Sequence, residues 1–204
     1  MKKHLNHRAF LILIVIISSG FAAFYLFDAD PLAKDDSQEL DRLFRDMLVL
    51  KIPHVTEPAD IRLKDIEGRQ VNLADFRGKI VFLNFWTTWC PTCRIEMPSM
   101  EKLHQKFKYK DFAMVTINLQ EAASQVKEFF KVHKLTFTAL LDSTGDVGTA
   151  FGIYQIPTTF ILDKEGRIIA KAVGPREWDS KNAIALFEHL TDKYVAISNL
   201  TSAH

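Results

Sequence analysis

Two kinds of hydrophobic pattern alternate along the chain between residues 61 and 194. Short apolar runs, continuous or alternating with polar residues, are typical of strands, whereas apolar residues spaced three and four apart are typical of helices. These patterns predict strands at residues 61–66, 71–73, 79–86, 112–119, 136–141, 158–162 and 167–173. They predict helices at residues 90–107, 123–134 and 179–194, with a short helical turn at 146–151. Strands that alternate with helices and then end in a hairpin and a helix predict an α/β fold, in which helices cover both faces of a mixed sheet.

Turn residues and strand composition indicate how several of these strands lie in the sheet. Glu67-Gly68 separates the first two strands and residues 163–166 separate the last two, so both pairs are expected to form hairpins. Residues 79–86 are almost continuously apolar, which is typical of a central strand with both faces covered. In the last helix, Asp179 or Ser180 is the expected N-cap residue.

The segment that precedes this sheet shows a different pattern. Residues 28–36 are polar and are predicted to form a short linker. Residues 36–50 carry apolar side chains at helical spacing, so we predict a helix that is capped by Asp36 or Ser37 and stopped by Pro53. This amphipathic helix could pack on its own domain, lie on a membrane surface or form a dimer contact.

Residues 9–27 form an uncharged and strongly apolar stretch. At about 1.5 Å per residue, a helix of this length spans roughly the hydrocarbon core of a bilayer. Lys2, Lys3 and Arg8 precede the stretch, and the positive-inside rule keeps such an end in the cytoplasm. We therefore predict a transmembrane signal-anchor in the cell membrane, with the rest of the chain outside the cytoplasm, in the periplasm or an equivalent space. A cleaved signal peptide and a buried core helix are the alternatives, and no cysteine lies near the stretch to accept a lipid.

The balance of charge argues against a nucleic-acid partner. The 204 residues include 26 Lys and Arg against 25 Asp and Glu. Without the three basic residues before the apolar stretch, 23 basic residues face 25 acidic ones, a net charge of −2. The rest of the chain therefore lacks the excess of positive charge that releases counterions from phosphates.

The chain contains two cysteines, Cys90 and Cys93, which are three residues apart. A loop this short gains little chain entropy when it is closed, so the pair cannot staple the fold. A structural zinc site needs four ligands and would lack its second half here, so no metal site is expected. Arg94 stands where the attachment of a c-type haem requires a histidine. Reversible thiol–disulfide chemistry is the remaining interpretation, and a redox-active disulfide needs no separate cofactor.

The predicted position of the pair, between a β-rich strand and a helix, suits this chemistry. Cys90 would stand at the N-terminus of the helix, where unpaired backbone N–H groups and the helix dipole favour a thiolate. A lowered pKa would make Cys90 the nucleophile near neutral pH. Pro91 suits the first helical turn because its missing N–H is not needed there. Cys93 lies one turn further on and could resolve a mixed disulfide formed at Cys90.

Several segments resemble the TlpA/ResA-type thioredoxin-like proteins, which are anchored, extracytoplasmic thiol–disulfide oxidoreductases. Residues 84–98, Asn-Phe-Trp-Thr-Thr-Trp-Cys-Pro-Thr-Cys-Arg-Ile-Glu-Met-Pro, are similar to the active-site signature of this family. The other similar segments are residues 63–68 and 73–79 (the family's N-terminal hairpin), 152–160 (its cis-proline segment) and 120–142 (the insertion that separates it from plain thioredoxin).

The resemblance covers about residues 58–192. It implies a thioredoxin-like fold, with a mixed central sheet flanked by helices, an N-terminal β-hairpin and a helix–strand insertion, preceded by one transmembrane helix. The predicted organisation is a cytoplasmic stub at residues 1–8, the signal-anchor at 9–27, a linker and amphipathic helix at 28–54, the thioredoxin-like domain at 55–194 and a tail at 195–204.

The same resemblance implies roles for residues outside the cysteine pair. Pro157 would be the cis-proline that faces the disulfide rather than a trans proline at a strand edge, and the backbone of Ile156 would hydrogen-bond to a substrate segment. Glu96 matches the glutamate of the family pattern C-x-x-C-x-x-E-x-P. Near Cys93 its carboxylate would raise the thiol pKa and shuttle protons, unless it is a solvated helical glutamate. Asn84 stands where thioredoxin has a buried aspartate, and an amide cannot exchange protons, so Glu96 is the carboxylate that could tune the site.

Three residues near the pair are open to more than one interpretation. Trp86 and Trp89 could both be core residues, but Trp89 adjoins Cys90 and is the better candidate for a substrate-binding surface, together with Pro91. Pro98 is similar to the proline that kinks the family's active-site helix, or else the helix ends there.

The resemblance implies a reductant of specific protein disulfides outside the cytoplasm. Apocytochrome c, during cytochrome c maturation, is the expected substrate, and a membrane thiol reductase is the expected electron donor. A thiol peroxidase is one alternative: Thr87 stands three residues before Cys90 as its motif requires, but Leu83 replaces the proline of that motif. A non-catalytic thioredoxin-fold binding module is the other alternative, although it would not need the complete set of redox residues found in this chain.

Overall fold

The computed structural model of the chain describes residues 31–56 and 61–192. The predicted cytoplasmic stub at residues 1–8, the predicted membrane anchor at 9–27 and the predicted tail at 195–204 lie outside the described residues.

The chain divides into two compact units, residues 1–40 and 41–204. In the first unit the structure describes residues 31–40, which form the first part of helix α1 (Pro31–Asp46). All strands lie in the second unit. Among the helices that the structure describes, none combines the length and the apolar character needed to cross a bilayer.

Within the described residues, eight strands form one sheet. The strands are β1 (Leu50–Thr56), β2 (Arg62–Asp65), β3 (Gln70–Asn72), β4 (Ile80–Trp86), β5 (Phe112–Leu119), β6 (Thr138–Asp142), β7 (Thr158–Leu162) and β8 (Ile168–Val173). After α1 come a 3₁₀ helix (Leu73–Phe76), α2 (Pro91–Phe107), α3 (Ala123–His133), α4 (Asp146–Ala150) and α5 (Lys181–Asp192). The strand order is β1-β8-β7-β4-β5-β6-β2-β3. Strand β4 pairs parallel to β5 and antiparallel to β7, so the predicted mixed sheet is confirmed.

Strand β4 lies inside the sheet, and all of its residues are buried. Because successive side chains of a strand point to opposite faces, β4 contributes to two hydrophobic layers. Val81, Leu83 and Phe85 belong to one layer, which also contains apolar residues of β5 and β7. On the other face Phe82 packs edge-on against Trp178, with ring centroids 4.7 Å apart. The central strand is therefore covered on both faces, as its sequence predicts.

Both predicted hairpins are present, and their turns share the sequence pattern Asp-x-Glu-Gly-Arg. In the β2–β3 turn, the carboxylate of Asp65 accepts hydrogen bonds from the backbone N–H groups of Glu67 and Arg69 and from the Arg69 side chain. Asp163 accepts the equivalent three hydrogen bonds in the β7–β8 turn. The glycine of each turn has a φ of 83°, which a residue without Cβ adopts readily. Each aspartate carboxylate therefore satisfies two backbone donors of its own turn.

The predicted ends of the remaining helices and strands agree with the described ones to within two residues. Ser180 is the N-cap of α5, since its hydroxyl accepts a hydrogen bond from the Ala183 N–H at 3.3 Å. Helix α2 continues past Pro98 to Phe107, so the alternative that the helix ends at Pro98 is wrong.

The predicted helix at residues 36–50 exists, but its predicted start is wrong. Helix α1 begins earlier, at Pro31, so neither Asp36 nor Ser37 caps it. A proline suits the first position of a helix because no intrahelical partner is lost there.

The predicted end of this helix is also wrong, because a Schellman motif closes α1 after Asp46. Leu48 takes a left-handed conformation with φ of 52°, and its N–H donates to the carbonyl oxygen of Arg45. The N–H of Val49 donates to the carbonyl oxygen of Phe44. The left-handed position usually holds glycine, so a leucine there gives no sequence signal for the helix end.

Strand β1 follows α1 directly and is not among the predicted strands. It pairs antiparallel with β8, with Leu50 opposite Lys171, and it forms one edge of the sheet. Pro53 lies within β1, where an edge strand tolerates a residue without a backbone N–H. Residues 50–54 therefore belong to the sheet, although the predicted linker and helix at 28–54 included them.

Candidate active site

The active-site loop, residues 87–89, connects the end of β4 to the start of α2. Cys90 follows it as the N-cap residue of α2, with φ of −75° and ψ of 113°. A disulfide bond joins its sulfur to Cys93, and the Cys93 backbone N–H also donates to the Cys90 sulfur at 3.2 Å. Cys93 is fully buried, whereas 4% of Cys90 is exposed. Cys90 is thus the member of the pair that a partner molecule reaches first.

The N-terminus of α2 can stabilise a thiolate on Cys90 once the disulfide is reduced. The first N–H groups of a helix have no partner within the helix, and the helix dipole favours negative charge at this end. The Cys93 N–H already points to the Cys90 sulfur. Pro91 occupies the first helical position and is exposed. This arrangement can carry out thiol–disulfide exchange, with attack by Cys90 and resolution by Cys93.

Glu96 lies one helical turn after Cys93 and is 1% exposed. One carboxylate oxygen accepts a hydrogen bond from the Asn84 side-chain amide at 2.9 Å. The other accepts from the Trp178 indole at 3.0 Å and from the Arg176 backbone N–H at 3.3 Å. Burial raises the pKa of Glu96 from 4.5 to about 7, and the opposing effects of these hydrogen bonds and of the Arg176 charge are smaller. The alternative of a solvated glutamate is therefore wrong, and this carboxyl can exchange a proton near neutral pH.

Two of the partners of Glu96, Trp178 and Arg176, have no predicted role. They lie in the connection between β8 and α5, at least 80 residues after Glu96. The Arg176 guanidinium also donates to the carbonyl oxygens of Met47 and Leu48 at the end of α1. A tryptophan in a polar connection is the one signal in the sequence, and it does not indicate which side chain the indole will bind.

Asn84 lies on β4 and is fully buried. Its amide nitrogen donates to Glu96 and to the Thr159 hydroxyl, both at 2.9 Å. Its carbonyl oxygen has no hydrogen-bond partner among the described residues. When Glu96 carries a proton, rotation of the amide would let the carboxyl donate to this oxygen. Asn84 can therefore serve both protonation states of Glu96.

The Ile156–Pro157 peptide bond is cis, so the prediction that Pro157 is a cis-proline is confirmed. The pairing of Phe85 with Thr158 places Pro157 next to the end of β4, where the active-site loop begins. In the part of the chain that the structure describes, the backbone N–H and carbonyl of Ile156 have no hydrogen-bond partner. Both groups are thus available to an extended segment of another molecule.

Trp89 is 67% exposed, whereas Trp86 is fully buried and packs against Phe129 and Phe130. Trp89 is therefore a surface residue and Trp86 a core residue. A groove beside the active-site loop, here the active-site groove, is lined by Thr87, Trp89, Leu119, Gln120 and residues 153–156. The structure thus brings Trp89 and Ile156, two of the predicted substrate-binding residues, to one surface.

Within the described ranges, no group of three or more His, Cys, Asp or Glu side chains could hold a metal ion. The two cysteines are bonded to each other. This disulfide can exchange with the thiols and disulfides of other molecules.

A family model, Redoxin, matches residues 51–186 of the chain. The thiol-disulfide oxidoreductase ResA of Bacillus cereus is 33% identical over 174 residues, which cover 85% of this chain and 91% of that relative. ResA of Geobacillus thermodenitrificans is 40% identical over 109 residues, which cover 53% of this chain and 63% of that relative.

Solved structures agree with these relatives. The crystal structure of StoA from Bacillus subtilis has a TM-score of 0.54 and 33% sequence identity, over 65% of this chain and 96% of StoA. The thioredoxin domain of a thiol-disulfide oxidoreductase from Bacteroides vulgatus has a TM-score of 0.59 and 26% identity, over 67% of this chain and 96% of that domain. The predicted thioredoxin-like α/β fold is confirmed.

Proposed function

The chain belongs to the Redoxin family and, more narrowly, to the TlpA/ResA-type thiol–disulfide oxidoreductases, and from this premise we propose that it reduces specific protein disulfides outside the cytoplasm. As a protein disulfide oxidoreductase of thioredoxin type, it exchanges disulfide bonds with other proteins. The proposal adds a direction, a substrate class and a place to this chemistry.

The buried carboxyl of Glu96, one turn after Cys93, is the observation that supports the direction. A carboxylate near a thiol disfavours the thiolate and so raises the thiol pKa. Strong oxidants of this fold owe their potential to a stabilised reduced form. A site that does not stabilise the Cys93 thiolate favours the disulfide form of the pair. A protein that prefers its own disulfide form gives its electrons to other disulfides and therefore acts as a reductant.

In the proposed reaction the protein begins as a dithiol. The Cys90 thiolate attacks one sulfur of the substrate disulfide, and the other substrate sulfur leaves as a thiolate and takes up a proton. Cys93 then gives its proton to Glu96 and attacks the Cys90 sulfur, and the second substrate sulfur leaves as a thiolate. This thiolate takes up the proton that Glu96 has accepted, which returns Glu96 to its starting form. The substrate gains two electrons and two protons, and the protein is left with the Cys90–Cys93 disulfide. A membrane thiol reductase returns two electrons and restores the dithiol.

We propose an anchored protein whose substrate is a Cys-x-x-Cys segment such as that of apocytochrome c. The uncharged residues 9–27, after a basic end, support the anchor and the extracytoplasmic place. The exposed Trp89 and the free backbone groups of Ile156 support a peptide substrate that binds in extended form. The names of the ResA relatives support the chemistry.

The midpoint potential of the Cys90–Cys93 pair tests the direction. Equilibration with glutathione or dithiothreitol buffers should give a value near or below the roughly −270 mV of thioredoxin. A value near the roughly −120 mV of strong oxidants would overturn the proposed direction.

Trapping tests the substrate. Cys93→Ser removes the resolving thiol, so mixed disulfides should accumulate at Cys90 when the anchored variant is expressed in cells. The matched control is Cys90→Ser, which should capture nothing by this route. Mass spectrometry of the captured chains should find Cys-x-x-Cys proteins such as apocytochromes. Captured proteins without such a motif would contradict the proposed substrate while leaving the chemistry in place.

A further inference from the structure

Glu121 lies in the connection between β5 and α3, within the insertion, and its carboxylate accepts four hydrogen bonds. One oxygen accepts from the Thr88 backbone N–H at 2.7 Å and from the Asn118 amide at 2.6 Å. The other accepts from the Thr88 hydroxyl at 2.5 Å and from the Gln125 amide at 2.7 Å. Both oxygens are therefore fully used, and both bind Thr88.

Thr88 is the middle residue of the active-site loop, two positions before Cys90, and it is 8% exposed. The Gln125 amide also donates to its hydroxyl at 2.9 Å. The active-site loop is thus attached through Thr88 to the β5–α3 connection, 33 residues later in the chain. Thr87 and Thr88 are buried, whereas neighbouring Trp89 is 67% exposed, so packing does little to fix the Trp89 side chain.

These contacts join two walls of the active-site groove. Thr87 and Trp89 form one wall, and Leu119 and Gln120, which directly precede Glu121, form the second. Residues 153–156, with the free backbone groups of Ile156, form the third wall. The hydrogen bonds between Glu121 and Thr88 therefore help to fix the separation of the first two walls, together with the pairing of Trp86 with Asn118 at the ends of β4 and β5.

The chemistry of these contacts requires a carboxylate. Each carboxylate oxygen accepts two hydrogen bonds, and all four partners are neutral donors. Within the described residues, Glu121 makes no salt bridge, so no positively charged side chain accounts for an acidic residue at this position. A glutamine would present its NH₂ group to two of the same donors.

We infer that Glu121 is a positioning residue that holds the active-site loop and thereby sets the fit of the active-site groove to a peptide disulfide. The inference rests on the proposed function in one respect, because it requires a peptide substrate that lies in the groove. The nucleophile itself is held by the start of α2, which Glu121 does not contact. Replacing Glu121 should therefore slow the reduction of disulfides that fill the active-site groove. It should not slow the reduction of disulfides that contact only the Cys90 sulfur.

The test compares two oxidised substrates with the reduced protein. One is a synthetic peptide that contains Cys-x-x-Cys-His as an intramolecular disulfide, and the other is oxidised β-mercaptoethanol, a small uncharged disulfide. For Glu121→Ala we expect kcat/KM with the peptide to fall about tenfold to a hundredfold, mainly through KM, since small misplacements of binding groups have effects of this size. Reduction of the small disulfide should stay within about twofold, because it needs no groove.

Three further variants separate positioning from charge and from general stability. Glu121→Asp keeps the two acceptor oxygens and the charge on a shorter side chain, and it should recover part of the peptide activity. Glu121→Gln keeps the size, and it provides the comparison with wild type if Glu121→Ala does not fold. Glu188→Gln is the matched control, because it removes a partly exposed glutamate on α5 that pairs with Lys106 at 3.3 Å, and it should change neither rate.

Trp89 adds a spectroscopic signature, because the other two tryptophans are fully buried. Subtracting the fluorescence of the Trp89→Phe partner of each variant isolates its signal. In Glu121→Ala the Trp89 side chain should be more mobile, so its fluorescence should have a lower anisotropy than in wild type. The fluorescence of the two buried tryptophans should stay the same.

Equal losses with both substrates would show a merely structural role and overturn the inference, as would a peptide rate that stays at the wild-type value. If wild-type protein reduces a scrambled peptide disulfide as fast as the Cys-x-x-Cys-His peptide, the proposed substrate is wrong. The Glu121 comparison then proceeds on the scrambled peptide, so the two failures remain distinguishable.

Discussion

Replacing Glu96 by glutamine tests whether burial controls the protonation of this carboxyl. In the folded protein burial raises the pKa of Glu96 from 4.5 to about 7. A carboxyl with a raised pKa stabilises the folded state while it is protonated, so its contribution is complete below pH 4.5 and is lost as the pH rises through 7. At about 1.36 kcal/mol for each pH unit between the two pKa values, the loss is about 3 kcal/mol.

Glutamine keeps the size of the side chain and removes the charge. Its carbonyl oxygen can accept the hydrogen bonds of Trp178 and Arg176, and its NH₂ group can donate to the unpartnered Asn84 oxygen after that amide rotates. We therefore expect Glu96→Gln to match wild type near pH 4 and to exceed it by about 3 kcal/mol in free energy of unfolding near pH 8. For a domain of this size the difference corresponds to roughly 6–12 °C in Tm.

Urea denaturation of the oxidised protein, at intervals between about pH 4 and pH 8, measures this difference. Subtracting wild type from variant at each pH cancels the contributions of other groups, including His104, whose pKa burial lowers.

Glu101→Gln, on the same helix, is a control of opposite sign. Burial acts to raise the pKa of Glu101, but hydrogen bonds from Thr136 and Gln105 outweigh it and lower the pKa. The charged carboxylate of Glu101 therefore contributes its full stability once the pH is above 4.5, and Glu101→Gln should be less stable than wild type by a constant amount between about pH 5 and pH 8. A difference between Glu96→Gln and wild type that is the same at both ends of the pH range would refute the reasoning.

Three other predictions concern the same site and the two hairpin turns. Trp178→Phe removes an N–H donor to the charged Glu96 carboxylate and keeps an aromatic ring. Because such hydrogen bonds contribute about 1.5–3 kcal/mol, an NMR titration should find the pKa of Glu96 higher than in wild type by about one pH unit or more. Asn84→Asp places a second buried carboxyl against Glu96, so urea denaturation should show a steeper loss of stability between pH 5 and pH 8 than in wild type, and a parallel curve would contradict this. Asp163→Ala should lower the free energy of unfolding by about 3 kcal/mol, and by more than Asp65→Ala. The reason is burial, because the arginine partner of Asp163 is 17% exposed and that of Asp65 is 77% exposed. Equal losses in the two variants would show that burial of the ion pair does not matter.

Local signals explain why much of the site could be predicted from the sequence. The pattern of residues 79–86 predicts a buried strand, and Pro91 suits the first turn of the next helix, so the position of Cys90 at a helix start follows from adjacent residues. The hairpin turns are predictable for the same reason, since the hydrogen bonds that the Asp65 and Asp163 carboxylates accept from the backbone lie within five consecutive residues.

Contacts between distant segments, and a rare local conformation, account for what could not be predicted. The partners of Glu96 in the β8–α5 connection lie at least 80 residues away from it in the sequence. The spacing of hydrophobic residues along the chain does not indicate such a distant pairing. Glu121 reads as an ordinary polar residue before a helix, and its role depends on the distance to Thr88 in space. The sequence does not predict strand β1, because Leu48 ends α1 in a left-handed conformation that is typical of glycine.

The place of β1 at the edge of the sheet has a consequence for the order in which the protein folds. Its partner β8 lies about 120 residues later in the chain, so β1 leaves the ribosome long before it can pair. Contacts of such high sequence separation form slowly because a long loop must close first, whereas β4, β5 and β6 can assemble earlier. Arg176, next to the end of β8, must also meet the carbonyl oxygens of Met47 and Leu48 late. A nascent chain can therefore contain both cysteines before Glu96 has acquired its buried surroundings.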